Sequence, residues 1–309
     1  MLDRYTKVIT DQARKEGYNI VPFPKSKKMV ILNKKGKEEV WLNQSLTHLT
    51  PYISFEIIKD KFLTNLYLKK HGFPVPPQKQ CSSINDCKLF LKKYKKIVVK
   101  PKIGVRGRGI TVGVTTFNEL KKSFPEAQKV HSEVIAEKFV AGVDHRVLVI
   151  DYKKIFAAQR IAAHVVGDGE KTINQLISEK NAKPLRKRMK RQIIKDKFTR
   201  QILKEQKMAI SSVPQKGQIV YLRKTANLAT GGEAIDITNK LSAKIKKLSI
   251  EIAKSFQVPV VGIDYLSEDI NKKPAYITEL NLIPGILIHH YPDLGRSYNV
   301  AKEILKLFK

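Results

Sequence analysis

Three side chains near the carboxyl end have the chemistry to hold a hard divalent cation: Asp264 within VVGIDYL, and Glu279 and Asn281 within ITELN. Strand alternation puts Glu279 and Asn281 on one face, with Leu280 on the other. Two carboxylates and an amide oxygen on adjacent strands form an oxygen-only set, the type magnesium takes when it also binds nucleotide phosphates. The neighbours Val260, Val261, Ile263, Leu280 and Leu282 are apolar, so the polar groups enter an otherwise buried sheet, where a carboxylate demands a partner. A pair of solvated strand faces is the plainer alternative, and the apolar flanks weigh against it.

A second constellation is the glycine-rich run KPKIGVRGRGI, which joins two strand-like segments. Gly104, Gly107 and Gly109 let backbone N–H groups approach phosphate oxygens, while Arg106 and Arg108 add positive charge. Lys100, one residue before Pro101 at a strand end, is placed to reach a phosphate. The run is not a Walker A, which needs Gly-Lys-Ser/Thr opening a helix. Taken alone, such a hairpin is more often a flexible turn.

These groups need elements to position them. Residues 97–101 and 110–114 read as strands either side of the glycines, and 260–266 and 275–281 as the strands carrying the acidic set. Before them come short strands at 30–32 and 40–42 and a helix at 55–70, closed by His71, Gly72 and the prolines at 74, 76 and 77. A helix at 117–130 and a strand at 134–140 follow, then a hairpin (145–150, 154–166) turning at Asp151 and Tyr152. Helices at 172–180 and 185–206, a strand at 218–223, and helices at 242–256 and 299–308 complete the pattern. Helices and strands alternate loosely, which gives an α+β class with mostly antiparallel sheets.

At 309 residues and 42% apolar content the chain can bury a real core, as one large domain or two to three lobes. Its start, Met1-Leu2-Asp3-Arg4, lacks an apolar targeting core, and no run approaches the ~18 apolar residues of a membrane span. A cytoplasmic protein without a membrane partner is the expectation. Cys81 and Cys87 lack the further ligands of a zinc site and read as free thiols. Fifty-nine Lys+Arg against 28 Asp+Glu leave a net charge of +31, which suits an anionic partner or simply lysine-rich solvated faces. The densest stretch, 183–207, has eleven basic residues against Asp196 and Glu205. Nucleic acid is not the expected partner, since no nucleic-acid motif is present and Trp41 is the single tryptophan.

Four ordered segments carry a family resemblance: VVKPKIGVRGRGITVGV; VIAEKFVAGVDHRVLVI with AAQRIAAHVVGDG; VYLRKTANLATGGEAIDIT; and VVGIDYLSEDI through ITELNLIPGILIHHYPDLGR. Over roughly residues 60 to 300 the chain resembles the ATP-grasp superfamily. Within it, the chain is similar to the ATP-grasp module of cyanophycin synthetase and the glutathione synthetase-like domain of bifunctional glutamate-cysteine ligases. The resemblance implies two α/β lobes clamping ATP, after a small amino-terminal region. The expected divisions are 1–96 as that region and linker, 97–142 as the lid with the glycine loop, and 143–309 as the catalytic part, with a basic helical insertion at about 170–217.

By the same resemblance, Lys61 and Lys100 contact ATP phosphates under the 104–109 loop, Glu137, Lys138 and Val140 line the adenine pocket, and Asp144 faces the ribose. Asp264, Glu279 and Asn281 hold two magnesium ions, for which manganese can substitute. Arg223, Asn227 and the N–H groups of Gly231 and Gly232 stabilise an acyl phosphate and the later oxyanion. Arg146, Arg160 and Arg296 are candidates for gripping substrate carboxylates, and His289, with His290 beside it, for lining the substrate pocket, with structural packing of the pair beside Pro292 as the alternative. The implied activity is ATP-dependent, ADP-forming amide-bond formation between a carboxylate and an amine, on an amino acid or acidic peptide, with a glutathione synthetase-like ligase as the alternative and polyanion binding behind it. Self-association into a homo-oligomer is open. The larger family enzymes carry a Mur-ligase-like module or a preceding glutamate-cysteine ligase module outside these segments, so a single ligation step is expected here.

Overall fold

A computed structural model describes residues 1–104, 107–272 and 275–308. They form two compact units: the first takes in Met1–Ala158, Ile237–His290 and the chain from Ser297 on, and the second Gln159–Asp236 and Tyr291–Arg296. Within both, the sheets are antiparallel and mixed with helices, as an α+β fold requires.

The first unit opens with the helix Arg4–Lys15, capped by Asp3, and a sheet of Asn19–Pro22, Met29–Asn33, Val40–Asn43 and Leu46–Thr47 paired in chain order. Alternation buries Val30, Leu32, Val40 and Leu42 against Ile9 and Ala13. A second sheet runs in the order Gln78–Cys81, Val134–Lys138, Ile97–Pro101, Thr111–Val114. One face is covered by the helices Ile84–Tyr94 and Phe117–Gln128. Each begins with a capping box, Ser83 with Asp86 and Thr116 with Glu119, and together they bury Phe90, Leu91, Leu120 and Phe124 against Ile97, Val99 and Ala136. Cys81 and Cys87 are free and buried in the same core.

The third sheet holds the expected metal ligands. Val143–Ile150 and Lys154–Ile161 form the hairpin, whose turn residues Asp151 and Tyr152 have φ of 52° and 51° with the Lys153 N–H on the Ile150 carbonyl at 3.1 Å. Two successive left-handed residues make this a type I′ turn. Val260–Ser267 pairs with Val143–Ile150 on one side and Tyr276–Asn281 on the other, and core residues cover both of its faces. Val261, Ile263 and Tyr265 pack with Ile245 and Ile252 of the helix Ala243–Ser255.

Two expected helices divide. The one at 55–70 is Tyr52–Lys59 and Lys61–Lys70, because Asp60 leaves the helical region and caps the second helix. The one at 185–206 is Pro184–Arg188 and Lys197–Glu205: Lys190 lies in the left-handed region at φ 48°, and Asp196 caps the second piece through the Thr199 N–H at 3.0 Å. Both lie in the second unit, with the helix Ile173–Ala182 and the strand pair His164–Val166 and Ile219–Tyr221. Its core is Ala163, Val165, Ile173, Ile177, Ile193, Leu203, Val220 and Leu222. Among the described residues, no helix is long and apolar enough to cross a membrane.

Within the first unit, His290 ties the carboxyl-terminal helix Val300–Leu305 to the segment Leu287–His290 by accepting the Ala301 N–H on Nε2 at 3.0 Å. Burial pushes its pKa down from 6.5 to about 4. Between those values the unfolded chain binds the proton and the folded chain does not, so this contribution is complete above pH 6.5 and is lost as pH falls towards 4. The loss should be on the order of 2 to 3 kcal/mol. Denaturant titrations across this range should show a shallower pH slope for His290→Asn than for the parent, and equal slopes would assign the effect elsewhere.

Candidate functional site

Strand register brings the acidic set together. Asp264 lies directly across from Glu279, and Gly262 from Asn281, so all three polar side chains share one face. On the other side, Arg146 lies across from Asp264. Its Nη2 donates to Oδ2 at 3.0 Å and its Nε to Oδ1, with both side chains more than nine-tenths buried. Asn281 donates to the same Oδ2 at 3.4 Å. Gly262 makes this possible: a Cβ there would stand 2.9 Å from Pro284 and 3.1 Å from the Arg146 Cδ. Further along the face the residues turn apolar, with Leu148, Ile150 and Val260 in the core. The polar cluster therefore sits at the edge of a packed surface.

Lys61 joins this cluster to the glycine loop. Asp60 accepts the Phe62 and Leu63 N–H groups at 2.9 and 3.0 Å, which sets Lys61 at the first position of its helix. The Lys61 N–H then donates to the Lys102 carbonyl at 3.2 Å, and Lys102 Nζ lies 3.2 Å from the Asp60 carboxylate. A hydrogen bond from Lys102 to Glu133 holds the Lys102 ammonium above the usual lysine range. So fixed, Lys61 Nζ donates to the Gly104 carbonyl at 2.8 Å and stands 3.2 Å from Glu279 Oε1. A cavity of about 10 Å³, room for one water, lies beside it, lined by Lys61, Asn65, Gln78, Thr278 and Glu279 among others.

In the neighbouring sheet Lys100 Nζ lies 2.7 Å from Glu137 Oε2, and Gln78 donates to the same oxygen. Val98 pairs with Glu137, so Lys100 is diagonal to it on the face opposite the helices. Gly109, at φ +70°, has no room for a side chain: a Cβ would meet Val130 at 2.9 Å and the Glu126 carbonyl at 3.1 Å. Gly107 also has a positive φ, Arg108 is exposed, and Arg106 lies outside the described residues. Lys138 is exposed, Val140 and Asp144 are half-buried, and His289 is buried with its ring 6.2 Å from Phe156.

The remaining candidates belong to the second unit, where the expected cation and the expected turn donors already hold partners. Arg223 is not an open cation: Nη1 donates to Thr199 Oγ1 at 2.5 Å and the Leu222 carbonyl at 2.9 Å, and Nη2 to Asp196 Oδ2 at 2.9 Å and the Ile194 carbonyl at 3.2 Å. Burial would raise Asp196, but the Thr199 N–H and Arg223 outweigh it and hold the carboxyl below its usual range. The Gly231 and Gly232 N–H groups, expected to face an oxyanion, donate to the carbonyls of Leu228 at 3.2 Å and Asn227 at 3.1 Å, and the Asn227 side chain accepts the Ala229 N–H. The turn closes on itself. Arg160 is half-buried, and Arg296 is exposed with its N–H on Asp236 at 3.3 Å.

A match to the ATP-grasp domain covers residues 58–282. The chain belongs to the ATP-grasp family. It is 32% identical over 98% of its length to the cyanophycin synthetase of Trichormus variabilis, of which it covers 34%. It is 31% identical over 99% of its length to a glutathione biosynthesis bifunctional protein of Clostridium perfringens, of which it covers 41%. The crystal structure of a bifunctional glutathione synthetase from Pasteurella multocida superposes with a TM-score of 0.73 at 27% identity, over 99% of this chain and 43% of that one. The chain thus spans about a third to two fifths of the length of these relatives.

In this ATP-grasp chain the sequence reading missed two buried arginines and the half-buried carboxylates that meet them. Arg186 and Arg191 of the basic stretch are 2% and 3% exposed, and they pair with Glu233 and Asp293. Glu233, directly after the two glycines, was the available signal, but its partners lie more than forty residues away in the chain. Burial would raise the Glu233 carboxyl, yet the bond from Lys180 and its neighbouring cations bring it below the usual range.

Arg146→Met should cost about 3 to 5 kcal/mol, because it strands a buried carboxylate. Adding Asp264→Asn should restore much of that loss in a double-mutant cycle of urea denaturation, and strict additivity would show the pair to be uncoupled.

Proposed function

We propose that this ATP-grasp chain is an ATP- and magnesium-dependent carboxylate–amine ligase, forming an amide bond and releasing ADP. A carboxylate is a poor electrophile because its charge is delocalised. Transfer of the γ-phosphoryl group to one of its oxygens releases ADP and gives an acyl phosphate. The amine nitrogen then adds to the carbonyl carbon, phosphate leaves, and a proton is lost from nitrogen. The residues must position two anions and shield their charge.

The donor chemistry fits a magnesium site. Asp264, Glu279 and Asn281 present hard oxygens from one sheet face, and nucleotide phosphates would supply the other ligands, which suits a cation that rarely takes an all-protein cage. We assign these three residues two ions, whose charge would neutralise the β- and γ-phosphates. Lys61 and Lys100 would bind phosphate oxygens, and the backbone of Gly104, Gly107 and Gly109 would cover them. Glu137, Lys138, Val140 and Asp144 would receive the nucleoside. Arg160 and Arg296 remain candidates for substrate carboxylates, whereas Arg223 would need to exchange one of its present acceptors before meeting an acyl phosphate.

The observation that carries this reading is Lys61, whose one ammonium bonds the first glycine of the loop and a carboxylate of the acidic set. Phosphate-binding and metal-binding chemistry are thereby within one side chain of each other. Local charge supports it as well: Lys61, Lys100 and Arg146 balance Glu279, Glu137 and Asp264, so a triphosphate together with its cation disturbs the site less than either alone.

The resemblance to cyanophycin and glutathione enzymes supports an amino acid or an acidic peptide as the acid. A glutathione synthetase-like tripeptide ligase is the second reading, favoured by the match to the Pasteurella enzyme. ADP release should be measured across amino-acid pairs, with and without short Asp- or Glu-containing peptides and γ-glutamylcysteine. Amide formation with one pair is the expected outcome; salt-sensitive polyanion binding with no ATP turnover would count against a ligase. Glu279→Ala should abolish turnover while the melting temperature stays near that of the parent, and parental rates in that variant would remove Glu279 from the metal site.

A further inference from the structure

Arg186 lies at the centre of the second unit, 2% exposed, where it meets three stretches of chain far apart in sequence. Its Nη2 donates to the Arg191 carbonyl at 2.7 Å and to the Gly231 carbonyl at 2.5 Å. Its Nη1 stands 3.4 Å from Glu233 Oε1 and 3.5 Å from Asp293 Oδ1. Both carboxylates have other cations: Lys180 lies 2.8 Å from Glu233 and Arg191 3.0 Å from Asp293, which also accepts the Ala234 N–H at 2.9 Å. Removing Arg186 would therefore leave neither carboxylate stranded. The Arg186 Nε, meanwhile, is buried with no acceptor among the described residues. A buried guanidinium of this kind is weak evidence for stability, since an apolar residue of similar volume often serves as well.

What Arg186 alone supplies is the bond to Gly231. The turn from Asn227 to Gly232 makes its other hydrogen bonds within itself, from Ala229, Thr230, Gly231 and Gly232 back to Asn227 and Leu228. It is close-packed below: a Cβ on Gly231 would come within 2.7 Å of the Ile193 Cα, and one on Gly232 within 2.9 Å of the Ile161 carbonyl. Packing limits how near the turn can approach, but it does not fix its rotation. The guanidinium does, because Nη2 donates to both the Gly231 and Arg191 carbonyls while Nη1 faces Glu233 and Asp293, and the planar group holds these donors in a set geometry.

We infer that Arg186 is a positioning residue, which sets the conformation of the Asn227–Gly232 turn, the segment that the family resemblance brings to an acyl phosphate, a step that rests on the ligase reading. The nearby charges Lys180, Arg191, Glu233 and Asp293 form the cradle that keeps the guanidinium in place. This accounts for part of the strongly basic stretch at 183–207 without an acidic ligand.

The test compares Arg186→Leu and Arg186→Lys with Lys187→Leu, a change at the exposed neighbour. In Arg186→Leu and Arg186→Lys, amide hydrogen exchange should quicken at least tenfold in residues 228–232 while Ile173 and Ile177 of the same unit keep their protection. Lysine should fail to rescue, since it lacks the planar Nη1 arm towards Glu233 and Asp293 that orients Nη2 on the two carbonyls. In whichever assay turns over ATP, kcat should fall at least tenfold with KM for ATP unchanged. Lys187→Leu should match the parent throughout. Unaltered exchange at 228–232, an equal rise across the whole core, or full rescue by lysine would each overturn the inference. The exchange readout decides it even if no ligase activity is found, which would count against the ligase reading alone.

Discussion

A buried ammonium must find acceptors, and the environment of Lys61 shows how that requirement organises the first unit. The side chain is 9% exposed and has two oxygens within reach, one a backbone carbonyl at the start of the glycine loop and one a carboxylate on the far strand of another sheet. Placing it there depends on the helix break at Asp60. Were the helix continuous, the Lys61 N–H would bond the carbonyl four residues back, at Ile57; instead it bonds Lys102 at the end of the strand that leads into the glycines. The cap, the lysine and the loop are one arrangement. It is also economical in sequence, since a single aspartate ends one helix, begins the next and holds Lys102.

The same logic governs the other buried charges. Asp264 would be costly in a sheet covered on both faces, and Arg146 on the adjacent strand answers it with two bonds. Glu137 is answered by Lys100, with Gln78 as a second donor. The net charge of +31 therefore does not reside in this cluster, where carboxylates and cations match; it is carried largely by exposed lysines elsewhere. A positive protein surface and a nearly neutral site make different demands: the surface draws anions in, whereas the site must discriminate by geometry.

Much of this was legible in the residues. Alternation in ITELN, with antiparallel pairing to VVGIDYL, suffices to put Asp264, Glu279 and Asn281 on one face, and IVVKP and the Asp151–Tyr152 turn lie where the pattern has them. Other features depend on partners distant in the chain, which no local pattern contains. The break at Asp60 reads as helix because its flanks are periodic, and the advantage of breaking comes from Lys102, forty-two residues on. The pairing of Glu137 with Lys100 follows only from the register that brings the two diagonal to each other. The N–H groups of Gly231 and Gly232 close the turn that holds them, and the lack of side chains there serves the approach to Ile193 and Ile161, residues that no local pattern brings near.

The basic stretch at 183–207 shows why composition alone is a poor guide to binding surfaces. Its periodicity suggests one exposed helix, but the chain bends at Lys190, and this bend lets Arg186 and Arg191 point into the unit while Lys187, Arg188 and Lys190 stay outside. A unit whose main apolar cluster, among the described residues, is eight buried side chains has little else with which to fix the path of its loops. Directional bonds from guanidinium groups to backbone carbonyls at Arg191, Gly231 and Tyr291 supply that definition, since hydrophobic contact is non-directional and leaves a small core several ways to pack. Arginine suits the task better than lysine for the same reason that it suits carboxylate recognition, so a segment rich in arginine can be read as internal framework before it is read as a docking face.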